Sequence, residues 1–346
     1  MLIRNEVYGA LPDGRPVSRH HLSHESGIEL SVLDYGAVVT GLWIPDAAGR
    51  KGDICPGPAS LADLLASGAC FGALVGRVAG RVSDAVFRQD PLLLRLSCNE
   101  PPNHLHGGFN GFHQKLWRVE EFGEDAEGPL LRMSLRSPAG EEGYPGNLDA
   151  SVTYRLTANR TFRVEIEART DEATPFAPTH HGYFNLSAGG EPAVDEHFLW
   201  IDADAFVPFD ESFRLQGRMD AVVAGSNDFR QTVRLGDVIR GALPTHGNMY
   251  VLGAGRRTTP QTVARVTHPA SGREMEVATT EPCLQFYTGM FLDRETVSGK
   301  DGAPFPAYGA LCLECQGYPD SPFTGMASSV LEPGRTFQSV TEYRFG

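Results

Sequence analysis

Period-two alternation of apolar and polar positions dominates this chain. Leu131 to Arg136, Asp149 to Leu156 and Thr161 to Arg169 each alternate. The last two are separated by Thr157-Ala158-Asn159-Arg160, which reads as a hairpin turn. Side chains of a strand point to opposite faces in turn, so such alternation predicts strands with one buried face. A second hairpin is expected from Thr262 to His268 and Arg273 to Ala278, turning at Pro269-Ala270-Ser271-Gly272. His197 to Ile201 and Ala310 to Cys315 also read as strands, whereas helical spacing is scarce and its best candidate, Ser60 to Ala66, is short. Strands following strands imply an antiparallel all-β protein. At 346 residues the usual solution is a large antiparallel β-sandwich. Nothing in 1–346 reads as a linker, repeat or low-complexity tract, so a single domain is expected.

Composition agrees with many short strands, because 39 Gly and 24 Pro supply many turns. A formal charge of −13 argues against a nucleic-acid partner and gives no attraction to anionic membranes. An uncharged small molecule fits better. No stretch reaches the length of a membrane span, and no apolar signal-peptide run follows Met1. The six cysteines are scattered, so a reduced, cytoplasmic protein is expected.

Several familiar sites are absent. GALVGRVAGR (72–81) is Gly-rich but matches neither a dinucleotide fingerprint nor a P-loop, and no G-x-S-x-G elbow occurs. Cys312 and Cys315 on one strand would face opposite sides, which suits neither a metal pair nor a redox pair. Histidines are more informative. His104 and His106 precede Gly107-Gly108, and His180-His181 precede Gly182-Tyr183-Phe184. Glu314 is the sharpest residue: it is the one acid in Leu311-Cys312-Leu313-Glu314-Cys315-Gln316, and a buried Glu needs a purpose or a partner. With Gln316 it would line one polar face, while Leu313 and Cys315 pack opposite. The other reading puts Glu314 on the solvent face of an edge strand.

Taken together, the motifs resemble the aldose 1-epimerase (galactose mutarotase) family. They are NHLHGG (103–108), EEGYPGNL (141–148), THHGYFNL (179–186), VPFDE (207–211), QFYTG (285–289) and LECQGYPDSPF (313–323), with GRVAGR (76–81) similar to that family's G-R-x-A-N-R. The resemblance implies the galactose-mutarotase-type β-sandwich, a free sugar as substrate, and no metal or organic cofactor. It implies Glu314 as general base, His181 as general acid, Arg81 and His106 as holders of sugar oxygens, and Tyr183 and Gln285 as pocket lining. A carboxylate and an imidazole on one sugar suit the chemistry, which removes a proton from the anomeric hydroxyl and delivers one to the ring oxygen. Three positions depart from the pattern: Gly80 and His180 each stand where the family usually has Asn, and Gly247 where it has an Asp that grips sugar hydroxyls. These departures keep open a non-catalytic sugar-binding relative or an enzyme acting on a modified sugar. A cupin-like metal site is a further rival on the strength of His104-Leu105-His106, although no acid lies between Gly107 and His113.

Overall fold

The computed structural model describes residues 2–241, 247–323 and 325–346. Among the described residues the strands form three main sheets, of five, nine and six strands, with four two-stranded ribbons. All the strand pairings are antiparallel, as the alternation predicts. The predicted hairpins are present as Leu148–Thr157 with Thr161–Thr170, and Gln261–His268 with Arg273–Thr279. The short helix is Leu61–Ala66, capped by Ser60, whose hydroxyl accepts the Asp63 N–H.

The nine-stranded and six-stranded sheets share one core. Tyr154, Phe162, Val277 and Tyr343 from the first join Tyr250, Leu284, Phe286, Leu311 and Leu313 from the second in a single apolar cluster. Leu30, Leu42 and Ile44 of the N-terminal sheet belong to the same cluster. The architecture is therefore an all-β sandwich.

Strand Leu311–Gln316 lies inside the six-stranded sheet, between Tyr183–Phe184 and Cys283–Tyr287, and every residue in it is buried. The edge-strand reading of Glu314 is thereby overturned. Leu311, Leu313 and Cys315 enter the core, and Glu314 takes the opposite face. Cys312 and Cys315 face opposite ways, as expected. All six cysteines are free thiols.

Two motifs of the sequence act as struts. Arg77, of the GRVAGR segment, is 2% exposed and donates to the carbonyls of Ser137, Pro145 and Gly146, the last two from EEGYPGNL. Tyr144 of that motif shares a 2.7 Å hydrogen bond with His104 Nε2. Gly107 lets NHLHGG approach the 76–81 segment closely: its φ is +85°, and a Cβ there would fall 1.8 Å from the Gly76 carbonyl oxygen. These contacts fix the backbone that presents Arg81 and His106.

Candidate active site

A cavity of about 510 Å³ opens on the face of the six-stranded sheet turned away from the core. Glu314, His181, Arg81, His106, Tyr183 and Gln285 all line it, so the structure brings together every site residue expected from the sequence. Register explains the floor. Gln285 pairs with Glu314, and Met249 pairs with Gln285, so three adjacent strands send one side chain each to the same row.

Glu314 and His181 form the centre. Glu314 Oε2 lies 3.6 Å from His181 Nε2, and the two residues are 3% and 5% exposed. Tyr183 stacks on the His181 ring at 5.1 Å between centroids, and the Cys312 thiol lies 3.8 Å from its Nδ1. The His106 ring meets His181 edge-on at 5.1 Å. His106 Nδ1 accepts the Gly80 N–H at 3.1 Å, which leaves Nε2 as the protonated nitrogen of the neutral ring. Arg81 is held by Glu100, which accepts from its Nε and Nη2 at 2.6 Å each, and its guanidinium lies over the Phe213 ring.

Burial sets the protonation of the pair. It pushes the Glu314 carboxyl up to about 8, opposed by the positive charge of Arg81. It pushes the His181 imidazole down to about 4, and the His106 imidazole well below its usual value. At neutral pH the Glu314–His181 pair therefore holds a single proton. The donor atoms of His106, His181 and Glu314 also lie within 4.8 Å of one another, a set able in principle to ligate a metal ion.

The structure separates the histidines that the sequence left together. His181 faces the cavity, while His180 points into the core among Phe162, Tyr154 and Tyr343. His104 is likewise structural and His106 is in the site. Gly247 sits in a tight turn. Its φ is +65°, and a Cβ would fall 1.8 Å from the Phe286 carbonyl oxygen, so this backbone admits no side chain. Asn248 points away from the cavity toward Tyr250 Oη. Wall residues the sequence did not reveal include Glu100, Arg294 and Glu295, with Cys70, Phe213, Leu215 and Met249, Tyr287 at the end of the Cys283–Tyr287 strand, and Met290 and Phe291 beyond it. Tyr287 belongs to QFYTG and Phe209 to VPFDE, so those motifs carried an unused signal.

Comparison with known proteins identifies the family. The family model described as Aldose 1-epimerase matches residues 18–344. Galactose mutarotase from Sus scrofa is 36% identical, with 99% of this chain and 98% of that protein covered. Galactose mutarotase from Homo sapiens is 35% identical at the same coverage. Aldose 1-epimerase from Escherichia coli (strain K12) is 31% identical, with 99% of each covered. Among solved structures, a GalM/aldose epimerase homologue from C. elegans superposes with a TM-score of 0.84 at 29% identity, covering 94% of this chain and 98% of that one. The chain belongs to the aldose 1-epimerase family, isomerases that interconvert the α and β anomers of an aldose.

Proposed function

We propose that Glu314 and His181 are the proton-transfer pair of this isomerase and that Arg81, His106, Tyr183 and Gln285 hold the sugar. The observation that carries this reading is the 3.6 Å approach of a buried carboxyl and a buried imidazole on the floor of a cavity of sugar size. Glu314 takes the proton of the anomeric hydroxyl, and His181 gives one to the ring oxygen. The ring opens, the aldehyde turns about one bond, and closure from the other face reverses both transfers. The pair ends with the single proton it began with, so nothing is consumed. With burial and the opposing charge of Arg81 together leaving Glu314 at about 8 and His181 at about 4, the shared proton rests on Glu314, and the reacting form, carboxylate beside imidazolium, is the minor tautomer of the one-proton pair. The relatives named for galactose make that sugar the first to assay.

The family relationship does not favour a non-catalytic sugar binder. The His106, His181 and Glu314 cluster motivates a second reading, in which a metal ion polarises the sugar. One experiment addresses both: anomer exchange of freshly dissolved α-galactose, followed by polarimetry, for the wild type before and after exhaustive chelation and for Glu314→Gln. The proton-transfer reading expects chelation to leave the rate unchanged and Glu314→Gln to lower it about 100-fold or more while the protein stays folded. Activity that vanishes on chelation and returns with a divalent ion would establish the metal reading instead.

The chain reads as one domain, because residues from Leu22 to Phe345 share a core cluster. Among the described residues no helix is long and apolar enough to cross a membrane. The free thiols support the cytoplasmic placement.

A further inference from the structure

We infer that Cys312 is a positioning residue for the reaction: its sulfur accepts the Nδ1 hydrogen of His181 and so keeps the Nε2 lone pair turned to Glu314. The inference rests on the proton-transfer reading of that pair. Cys312 and Glu314 stand two residues apart on Leu311–Gln316, so they share a face and are about 6.8 Å apart along the strand. One imidazole spans the gap. His181 Nε2 lies 3.6 Å from Glu314 Oε2, and His181 Nδ1 lies 3.8 Å from Cys312 Sγ. A single strand thus addresses both ring nitrogens.

The surroundings narrow what Nδ1 can meet. Cys312 is buried in an apolar cluster with Phe71, Leu292 and Phe305, and it pairs across the sheet with Tyr183 on one side and Tyr287 on the other. The Tyr183 hydroxyl donates to the Ala69 carbonyl at 3.0 Å, and the Tyr287 hydroxyl accepts the Phe291 N–H at 3.0 Å. The carbonyl of His181 itself, the other acceptor beside the ring, already takes the Gly72 N–H at 3.0 Å. A neutral imidazole carries one hydrogen, and the partner of one nitrogen decides which nitrogen holds it. Held on Nδ1 by the sulfur, it leaves Nε2 able to accept. That lone pair is what the reaction needs, because the shared proton rests on Glu314. The proton passes from the carboxyl to Nε2 and yields carboxylate beside imidazolium, while the Nδ1 hydrogen stays on the sulfur and the thiol keeps its own. A hydrogen on Nε2 instead would block that transfer. Sulfur is a weak acceptor, so the expected contribution is about fivefold to tenfold in kcat.

The test combines 15N NMR of imidazole-labelled protein at about pH 7 with anomer exchange of galactose, in the wild type, Cys312→Ala and Cys312→Ser. The His181 resonances are assigned by their loss in His181→Asn. In the wild type, Nδ1 is expected to be protonated and Nε2 bare. Cys312→Ala shifts hydrogen toward Nε2 and lowers kcat about fivefold to tenfold, with KM near that of the wild type. Cys312→Ser, shorter but still an acceptor, falls between the two in both readouts. A wild type protonated at Nε2, or a folded Cys312→Ala that keeps the wild-type tautomer or the wild-type kcat, overturns the inference and leaves the Glu314–His181 pair standing. A His181→Asn variant that exchanges anomers at the wild-type rate overturns the proton-transfer reading and the inference with it.

Discussion

His180 and His181 are neighbours in sequence with opposite fates, because successive residues of an extended segment face opposite ways. His181 meets Glu314 in the cavity, and His180 fills a hole among three aromatic rings. His181→Asn is therefore expected to lose about 100-fold in kcat with a native fold. His180→Asn is expected to lose about 1–3 kcal/mol of stability while each folded molecule keeps a rate near that of the wild type. Denaturation curves and initial rates on both variants decide the matter, and a stable but inactive His180 variant would show the two roles to be exchanged. The pair also predicts a pH profile. With Glu314 near 8 and His181 near 4, the one-proton form dominates between those values. The profile of kcat/KM should be level across that window. It should fall above about 8, where the shared proton is lost, and below about 4, where a second is gained. An alkaline limb that begins two units lower would show that Glu314 is not the group held up by burial.

At the scale of the element, the long strands were legible and the shortest were not. Leu148–Thr157 and Thr161–Thr170 alternate over ten residues each, enough for period two to be plain. Thr179–His180 and Tyr183–Phe184 are two-residue pairings with no room for a pattern, yet they bracket His181. Glu314 was legible because a lone acid interrupts an apolar strand. Phe213, Leu215 and Glu100 were not, because they stand on loops whose position depends on the rest of the fold. Gly247 carries a local constraint that no motif states: in the structure it is a turn pressed on the backbone of the next strand. Gly247→Ala should therefore lower stability by about 1–3 kcal/mol from backbone strain, with the close approach to Phe286 adding to the loss. Chemical denaturation measures it. An unchanged midpoint would mean that this turn has space for a side chain, reopening the position as a sugar contact.

For the whole molecule, the imidazoles kept neutral in the interior matter more than the site alone. Burial pushes His180 and His197 down to about 3, and His113 and His181 to about 4. Once the chain unfolds, each returns toward its ordinary value near 6.5. Between pH 6.5 and about 4 the unfolded chain binds protons at these four positions that the folded chain refuses, so stability rises with pH across this window and is lost as pH falls. Glu314 works in the opposite sense. Its carboxyl is raised to about 8, so the folded state holds a proton that the unfolded state releases above about 4.5, and its contribution declines as pH rises from there to 8. At pH 5 four imidazoles gain protons on unfolding and one carboxyl releases most of one, giving a net uptake of about three protons from these groups. The expected result is a steep fall in the midpoint of denaturation between pH 6.5 and pH 4.5, with His180→Asn flattening the slope by about one proton. Denaturant titrations at half-unit steps of pH measure both. A midpoint that stays level across that interval would mean that these histidines are solvated enough to charge within the folded protein, and the sealed aromatic surroundings of His180 would have to open in solution.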